Sequence, residues 1–507
     1  MSQGMKTLIS TIRASMSAQP YGWALGVFIA FRVFAFAYFN GNYIDSDQCV
    51  LAQQAEDFSR GLFYSPYFYG QGYNLSIEAL LASPLIQLGL NPLWALPLVT
   101  AALSALPWIL FSQIPTHSQH RAWILLSSFL WPISYTQISL MPRGFVQGIA
   151  LASMGLFAFV KGTRWRWSIL AFLSCAALLA NPNSVLLLAA ALPLILQTLK
   201  PRDLWPLTLG IIPAAGLFWA LQSWSLELAP LWVHGNPNLS WNWSTALVNL
   251  RALPLRLQHL LWFPGWVGLA VSVGLLTWLL VRFQAQKVGI LLLVVVLFSM
   301  GSAKLADGTA NIFYSYGRFF LAIPLALAFA LALGKSEKQS GFHPVWLLLS
   351  AAYAFGLWHF SSIRHFGNVY CPVMVYHRAT FEEHAREILT ASESSDCIIV
   401  GNHWVIEAGS QGFGLAEDLP PSFRPVYERR LFELQPLLDK SCDEILLLDL
   451  ELDKRPEVKE HPDLVWSEIP SELGTVYRIR TNCEKTLREL LQILQLTSPS
   501  WESQQQP

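Results

Sequence analysis

Charge is what this sequence has least of. Only 13% of its 507 residues are Asp, Glu, Lys or Arg, against 53% hydrophobic, and the mean hydropathy is +0.39. Water-facing globular chains carry about 25% charged residues, so most of this chain does not fold against water. Lys plus Arg and Asp plus Glu are both 33, a formal net charge of zero that removes any case for nucleic-acid binding from bulk charge. No Gly-x-Gly-x-x-Gly and no complete P-loop occurs, so no nucleotide-phosphate cradle is expected. The six cysteines include no Cys-x-x-Cys pair, which leaves neither a zinc site nor thiol-redox chemistry indicated. No internal repeat is visible. The few charges are segregated: 19 basic and 9 acidic residues lie between Met1 and Ser362, and 14 basic and 24 acidic from Ile363 onward. Two regions in two environments follow.

What the chain has in abundance is apolar runs. They fall at 21–39, 93–114, 122–139, 145–160, 168–180, 184–199, 204–222, 261–281, 288–303, 319–334 and 344–362. A span needs about 20 apolar residues, fewer where neighbouring helices cover it. The runs on either side of Asn181-Pro182-Asn183-Ser184 read as a hairpin of two crossings, because that segment is a helix breaker followed by a capping residue. With the N-terminus inside, eleven crossings put Arg121, the Lys161–Arg166 cluster, Lys200 and Arg202, Arg282 and Lys287, and Lys335 and Lys338 all on the inner side. A single span over 168–199 would split the clusters between two faces. Ile77–Leu90 is apolar but short, and is expected to lie on the membrane surface or re-enter, leaving 40–92 as one large outer loop. Within it Leu51, Ala55, Phe58 and Leu62 recur at helical spacing opposite Gln48, Gln53 and Glu56, the pattern of an amphipathic interfacial helix. The first run carries Arg32 in its middle and no small-residue cleavage site follows, so it is read as an anchor that stays attached.

After Ser362 the texture becomes that of a small α/β domain, 363–507, which an odd number of crossings puts outside. Phe381–Thr390 and Glu484–Leu494 read as helices; Cys397–Val400, Glu444–Leu450, Leu464–Ile469 and Val476–Arg480 read as strands. Cys371, Cys397, Cys442 and Cys483 lie in it, and either disulfides or reduced thiols in a small core suit them.

The scarce acids of the first region are informative by position. Asp45, Asp47, Glu56, Asp57 and Glu78 all fall in the first outer loop, and Asp45 and Asp47 follow the first span at head-group height. A carboxylate there suits a general base, while Asp45-Ser46-Asp47-Gln48 equally suits a helix N-cap with a Gln three residues on. The outer cations are individually placed: Arg143 at the mouth of the fourth span, Lys304 after the ninth, and Arg318 with Tyr316 before the tenth. Arginine forks suit a phosphate at the interface; the plainer reading is snorkelling to lipid phosphates. Arg32, within the membrane, needs a partner or water, and an aspartate of the outer loop is one candidate. The histidines show no ligand spacing. Trp232, Trp241 and Trp243 could stack on sugar rings or form an interfacial belt. Asn74, Asn238 and Asn242 each begin a glycosylation triplet.

These elements together, an Arg-bearing first span, Asp-x-Asp opening a large outer loop, a late Tyr316-Gly317-Arg318-Phe319 segment and an outer tail, resemble the GT-C integral-membrane glycosyltransferases, in the lineage of protein O-mannosyltransferases and the lipid A aminoarabinose transferase. The stretches Gln48–Gly61 and Tyr73–Leu90 look like that family's first loop. The resemblance implies a GT-C-like polytopic helical protein that moves a sugar from a polyprenyl-phosphate donor to a hydroxyl of a lipid, glycan or protein acceptor, with inversion. It implies Asp45 or Asp47 as base, Arg143, Lys304, Arg318 and Tyr316 on the donor phosphate, and Arg32 and Glu78 in support. The family's Asp-Glu pair is split here by Ser46, and Arg143 stands where an acid is often found before the fourth span. A divalent metal at Asp45 and Asp47 is a further candidate, although two carboxylates supply only part of a shell. The expected location is a bacterial inner membrane with the tail periplasmic, or alternatively the endoplasmic reticulum membrane. Two other functions use the same features: a transporter or lipid flippase would use Arg32 and the Asn181 break, and a non-catalytic GT-C-like subunit would keep the scaffold without the second acid.

Overall fold

The computed structural model describes residues 10–11, 14–63, 65–69, 74–130, 133–232, 241–260, scattered positions from 270 to 301, 321–334, 375–378, 397–400, 425–427, 439, 441, 444–448, 458, 460–469, 476–481 and 485–494. The chain divides into two compact units: residues 1–41, 97–219 and 237–372 form one, and 42–96, 220–236 and 373–507 the other.

The helical part begins with α1 (Pro20–Asn42), whose proline occupies the first turn where an amide would have no helical acceptor. A short strand, β1 (Tyr43–Asp45), leads into α2 (Ser46–Ser59), and α3 (Ile77–Gln87) and α4 (Pro92–Ser112) follow. Asn91 starts α4: its Oδ1 accepts from Leu93 N at 2.9 Å, with Pro92 filling the first helical position. Over the run expected as one crossing at 122–139 the described residues form α5 (Ser118–Ser127), a 3₁₀ turn over Ser128–Leu130 and α6 (Ile133–Leu140). Then come α7 (Gln147–Val160), α8 (Arg166–Ala180), α9 (Val185–Thr198), α10 (Leu204–Trp232), α11 (Trp243–Leu260) and α12 (Ala322–Leu333).

The hairpin at Asn181 is present: α8 ends at Ala180, Pro182–Ser184 make one 3₁₀ turn, and α9 starts at Val185. The capping is done by Asn181, whose Oδ1 accepts from Asn183 N at 3.0 Å, while Ser184 Oγ donates back to Asn181 O at 2.9 Å. α7 and α8 approach closely because Gly148 and Gly155 face α8; a Cβ on Gly148 would lie 2.6 Å from Ala177 O. Between the apolar runs at 204–222 and 261–281 the described residues are largely helical, since α10 runs on to Trp232 and α11 fills Trp243–Leu260. Asn242 caps α11, accepting from Thr245 N at 2.7 Å, a use that periodicity alone did not reveal.

Among the described residues three helical stretches are long and apolar enough to cross a membrane, Pro20–Asn42, Pro92–Ser112 and Pro201–Trp224. Shorter apolar helices accompany them at Gln147–Val160, Arg166–Ala180, Pro182–Thr198 and Ala322–Leu333. Their outward faces are greasy: Trp219 is 73% exposed and Ile212 60%. Such surface suits lipid and not water, and the molecule is a polytopic membrane protein.

The second unit shows one departure from the sequence reading. The helix expected to lie at an interface with its polar side free, α2, is enclosed on both sides: Leu51, Ala55 and Phe58 are buried, but so are Gln48, Gln53, Gln54 and Asp57. The loop after α2 supplies the cover. Gln54 Nε2 donates to Tyr67 O at 2.8 Å and to Ser65 O at 3.1 Å, and Ser76 Oγ donates to Gln54 Oε1 at 2.7 Å. A satisfied polar core replaces a wetted face.

The same unit holds β2 (Val375–His377) and a five-stranded sheet of β3 (Cys397–Val400), β4 (Pro425–Tyr427), β5 (Glu444–Leu448), β6 (Leu464–Ile469) and β7 (Val476–Thr481), ordered β4-β3-β5-β7-β6. β3 is parallel to β4 and β5, and β7 is antiparallel to β5 and β6. One face carries Ile445, Leu447, Tyr477 and Ile479, which pack with Leu487, Leu490 and Leu491 of α13 (Leu487–Ile493). Period-two alternation puts Glu444 on the other face, where Arg480 Nε lies at 2.9 Å and Arg478 Nε at 3.0 Å. The expected helix at Phe381–Thr390, and Cys371, Cys442 and Cys483, lie outside the described residues; of Cys397 the backbone alone is described.

Candidate functional site

Asp45 is held by its backbone. β1 pairs antiparallel with β2, aligning Tyr43 with His377, Ile44 with Tyr376 and Asp45 with Val375. Asp45 therefore ends a strand and stands directly before α2, the position an N-cap would occupy, and Asp47 lies in the first turn of that helix. A helix N-terminus favours negative charge nearby, so two acids in succession are electrostatically at home there. Behind them α2 packs on α3, whose first turn contains the wholly buried Glu78. Asp57, also buried, accepts from the Tyr69 hydroxyl at 2.7 Å, whereas the more exposed Glu56 pairs with Arg60 one turn on. Asp57 and Glu56 thus have structural partners, and Asp45 and Asp47 stand at the entrance of α2.

A cation that sequence reasoning missed joins this unit. Arg378, directly after β2, is buried; its Nη2 donates to Leu93 O at 3.0 Å and its guanidinium sits 4.5 Å from the centre of the Trp94 ring. Gln48 Nε2 reaches the same Leu93 carbonyl at 3.5 Å. No local pattern announces the pairing, because Arg378 and Leu93 are 285 positions apart and Arg378 lies in the segment read as tail.

In the first unit, Arg32 meets hydroxyls and not a carboxylate. Its Nη1 donates to Ser139 Oγ at 3.2 Å and its Nη2 to Ser104 Oγ, and among the described residues it makes no ion pair. Arg32 lies ten residues before the end of α1, roughly 15 Å along the axis, and the side chain of Asp45 lies outside what is described. Ser104, Tyr135 and Ser139 line a cavity of about 10 Å³ with Leu103, Trp108 and Leu325, room for about one water molecule. Tyr135 donates onward to Leu321 O at 2.7 Å, at the start of α12.

Arg143 occupies the turn between α6 and α7 and is 3% exposed. Its amide donates to Met141 O at 2.9 Å, and Gly144 follows with φ +72°, a conformation that glycine takes without strain. Lys304, Tyr316 and Arg318 lie outside the described residues. Among the described residues no three His, Cys, Asp or Glu side chains gather to hold a metal ion.

No protein-family model and no curated protein matches the chain. Solved structures do. The chain is similar to ArnT from Cupriavidus metallidurans bound to undecaprenyl phosphate, at 12% identity and a TM-score of 0.57, over 91% of this chain and 98% of that one. It is also similar to ArnT from the same organism in the apo state, at 12% identity and a TM-score of 0.55, over 90% and 98%. The chain has the fold expected from its resemblance to the GT-C integral-membrane glycosyltransferases.

Proposed function

We propose that this protein transfers a sugar from a polyprenyl-phosphate donor to a hydroxyl of a glycan, lipid or protein acceptor at the outer face of a membrane, with inversion at the anomeric carbon. The observation that carries the reading is the fold shared along 91% of the chain with ArnT, a protein captured with undecaprenyl phosphate. In this reading eleven crossings put the N-terminus inside, with residues 363–507 as an outer domain and 40–92 as a large outer loop.

The chemistry asks little of the protein. A lipid phosphate is already a fair leaving group, so the enzyme aligns donor and acceptor, removes one proton and steadies the charge that grows on the phosphate. Asp45 takes the acceptor hydroxyl proton as its oxygen bonds to the anomeric carbon, with Asp47 as second carboxylate or alternative base. The bond from that carbon to the phosphate oxygen breaks, and the electron pair leaves with polyprenyl phosphate. Arg143, Lys304, Arg318 and Tyr316 hold the departing anion, and Arg32 and Glu78 support the helices that carry these groups. The features a transporter would use have local structural employment: Arg32 bonds two serines, and the Asn181 break caps a helix turn.

The test is Asp45→Asn and Asp47→Asn in the full chain, assayed with polyprenyl-phosphate-linked sugars. Loss of one general base is expected to lower turnover by about 100- to 10,000-fold for one of the two, with monodisperse elution in detergent retained. Undiminished transfer in both variants would remove the base assignment; a wild-type chain inert with every donor would favour a non-catalytic subunit.

A further inference from the structure

The turn that carries Arg143 is fastened by a residue the proposed reaction does not use. Asn181, at the tip of the α8–α9 hairpin, is 6% exposed, and its Nδ2 donates to Gly144 O at 3.0 Å. Its other amide atom, Oδ1, is committed to Asn183 N at 3.0 Å, so the side chain cannot rotate without losing both bonds. A second fastening lies one turn away, where Gln147 Nε2 donates to Ala180 O at 3.0 Å. No side chain separates the two segments at Gly148, where an added Cβ would lie 3.0 Å from Asn181 O and 3.1 Å from Asn181 N. The carbonyl that Asn181 grips belongs to Gly144, the flexible residue next to Arg143, whose φ of +72° most other residues resist. The gripped carbonyl fixes Gly144 ψ; without that hold the torsions of Gly144 are free to change, and the segment bearing Arg143 would swing relative to α7.

We infer that Asn181 is a positioning residue for donor binding: by fixing the Gly144 peptide it sets the direction of Arg143 toward the polyprenyl phosphate. The inference rests on the reading of Arg143 given above. Asn181 and Gly144 both fall on the outer side in the eleven-span arrangement, as the direct bond between them requires.

The experiment measures binding of undecaprenyl phosphate to the purified full chain in lipid nanodiscs by intrinsic tryptophan fluorescence. Asn181→Ala is expected to weaken binding about tenfold, the effect of losing roughly one hydrogen bond's worth of preorganisation. Arg143→Ala should weaken it at least as much, and the double variant should be no weaker than Arg143→Ala alone, since the two act through one contact. Ser184→Ala, which removes another buried bond of the same hairpin tip, should lower the melting temperature and leave affinity unchanged. Should Asn181→Ala fail to elute as a monodisperse species, Gly144→Ala perturbs the same peptide from the other side and should weaken binding likewise. Wild-type affinity in the Asn181 or Gly144 variant, alongside a loss in Arg143→Ala, overturns the positioning role and leaves Arg143 standing. An additive double variant, or a Ser184→Ala loss as large as that of Asn181→Ala, overturns it in favour of general destabilisation. Unchanged binding in Arg143→Ala overturns the phosphate assignment and the inference with it.

Discussion

Tyr69 and Asp57 show how a polar residue inside an apolar chain is retained. The phenol donates to the carboxylate at 2.7 Å, and both side chains are buried under the loop that closes over α2. Tyr69→Phe leaves a buried carboxylate oxygen one donor short, which costs about 1–3 kcal/mol. The melting temperature should fall, and residues 65–69 should exchange amide hydrogens faster; an unchanged melting temperature would mean that the carboxylate is satisfied otherwise. At this scale the sequence was legible by scarcity alone. With few acids available, Asp45, Asp47 and Glu78 stood out, but nothing local separated a helix-entrance acid from Asp57, whose partner is twelve residues on. Arg378 was illegible for the same reason in stronger form: its acceptor is a backbone carbonyl far away in the chain, and backbone carbonyls carry no sequence signature.

Helices and strands were more readable because period and punctuation are local. All four expected tail strands, at Cys397–Val400, from Glu444, at Leu464–Ile469 and from Val476, stand where the pattern put them, and the Asn181-Pro182 break divides two helices as expected. α2 was misread because apolar spacing reports that one side is buried and is silent about the other. The closing helix α13 illustrates a terminal device with a pH signature. Thr486 accepts from Glu489 N at 3.3 Å while Glu489 Oε2 accepts from Thr486 N at 2.8 Å, a reciprocal cap. The backbone hydrogen bond from Thr486 holds the Glu489 carboxyl below its ordinary value, and the hydrogen bond from Lys485 does the same for Asp463. Depressed values mean that both groups stabilise the folded tail above the unfolded carboxylate range of about 4 and lose that contribution as pH falls through the folded values. Hydrogen-exchange protection of residues 464–494, corrected for intrinsic rates, should be level between about pH 5 and 7 and decline below about pH 4. Protection that grows on acidification would contradict both assignments.

For the molecule as a whole, composition announced the membrane, whereas the grouping of 42–96 with 373–507 into one compact unit depends on contacts that no hydropathy profile contains. The bond between Asn181 and Gly144 requires the hairpin tip and the α6–α7 turn to lie on one side of the membrane. Reporter fusions are therefore expected to read outside at residues 144 and 183, and inside at 163 and 202. Opposite readings at 144 and 183 would break the eleven-span arrangement.

The pairing of β1 with β2 bears on how the protein is made. Its two strands are separated by about 330 positions, from Asp45 to Val375. During synthesis β1 emerges with the earliest segment and waits, unmatched, until nearly every later helix has been inserted and β2 has left the ribosome. A nascent chain thus carries Asp45 long before the strand that fastens its backbone exists, so this part of the fold is completed late in synthesis.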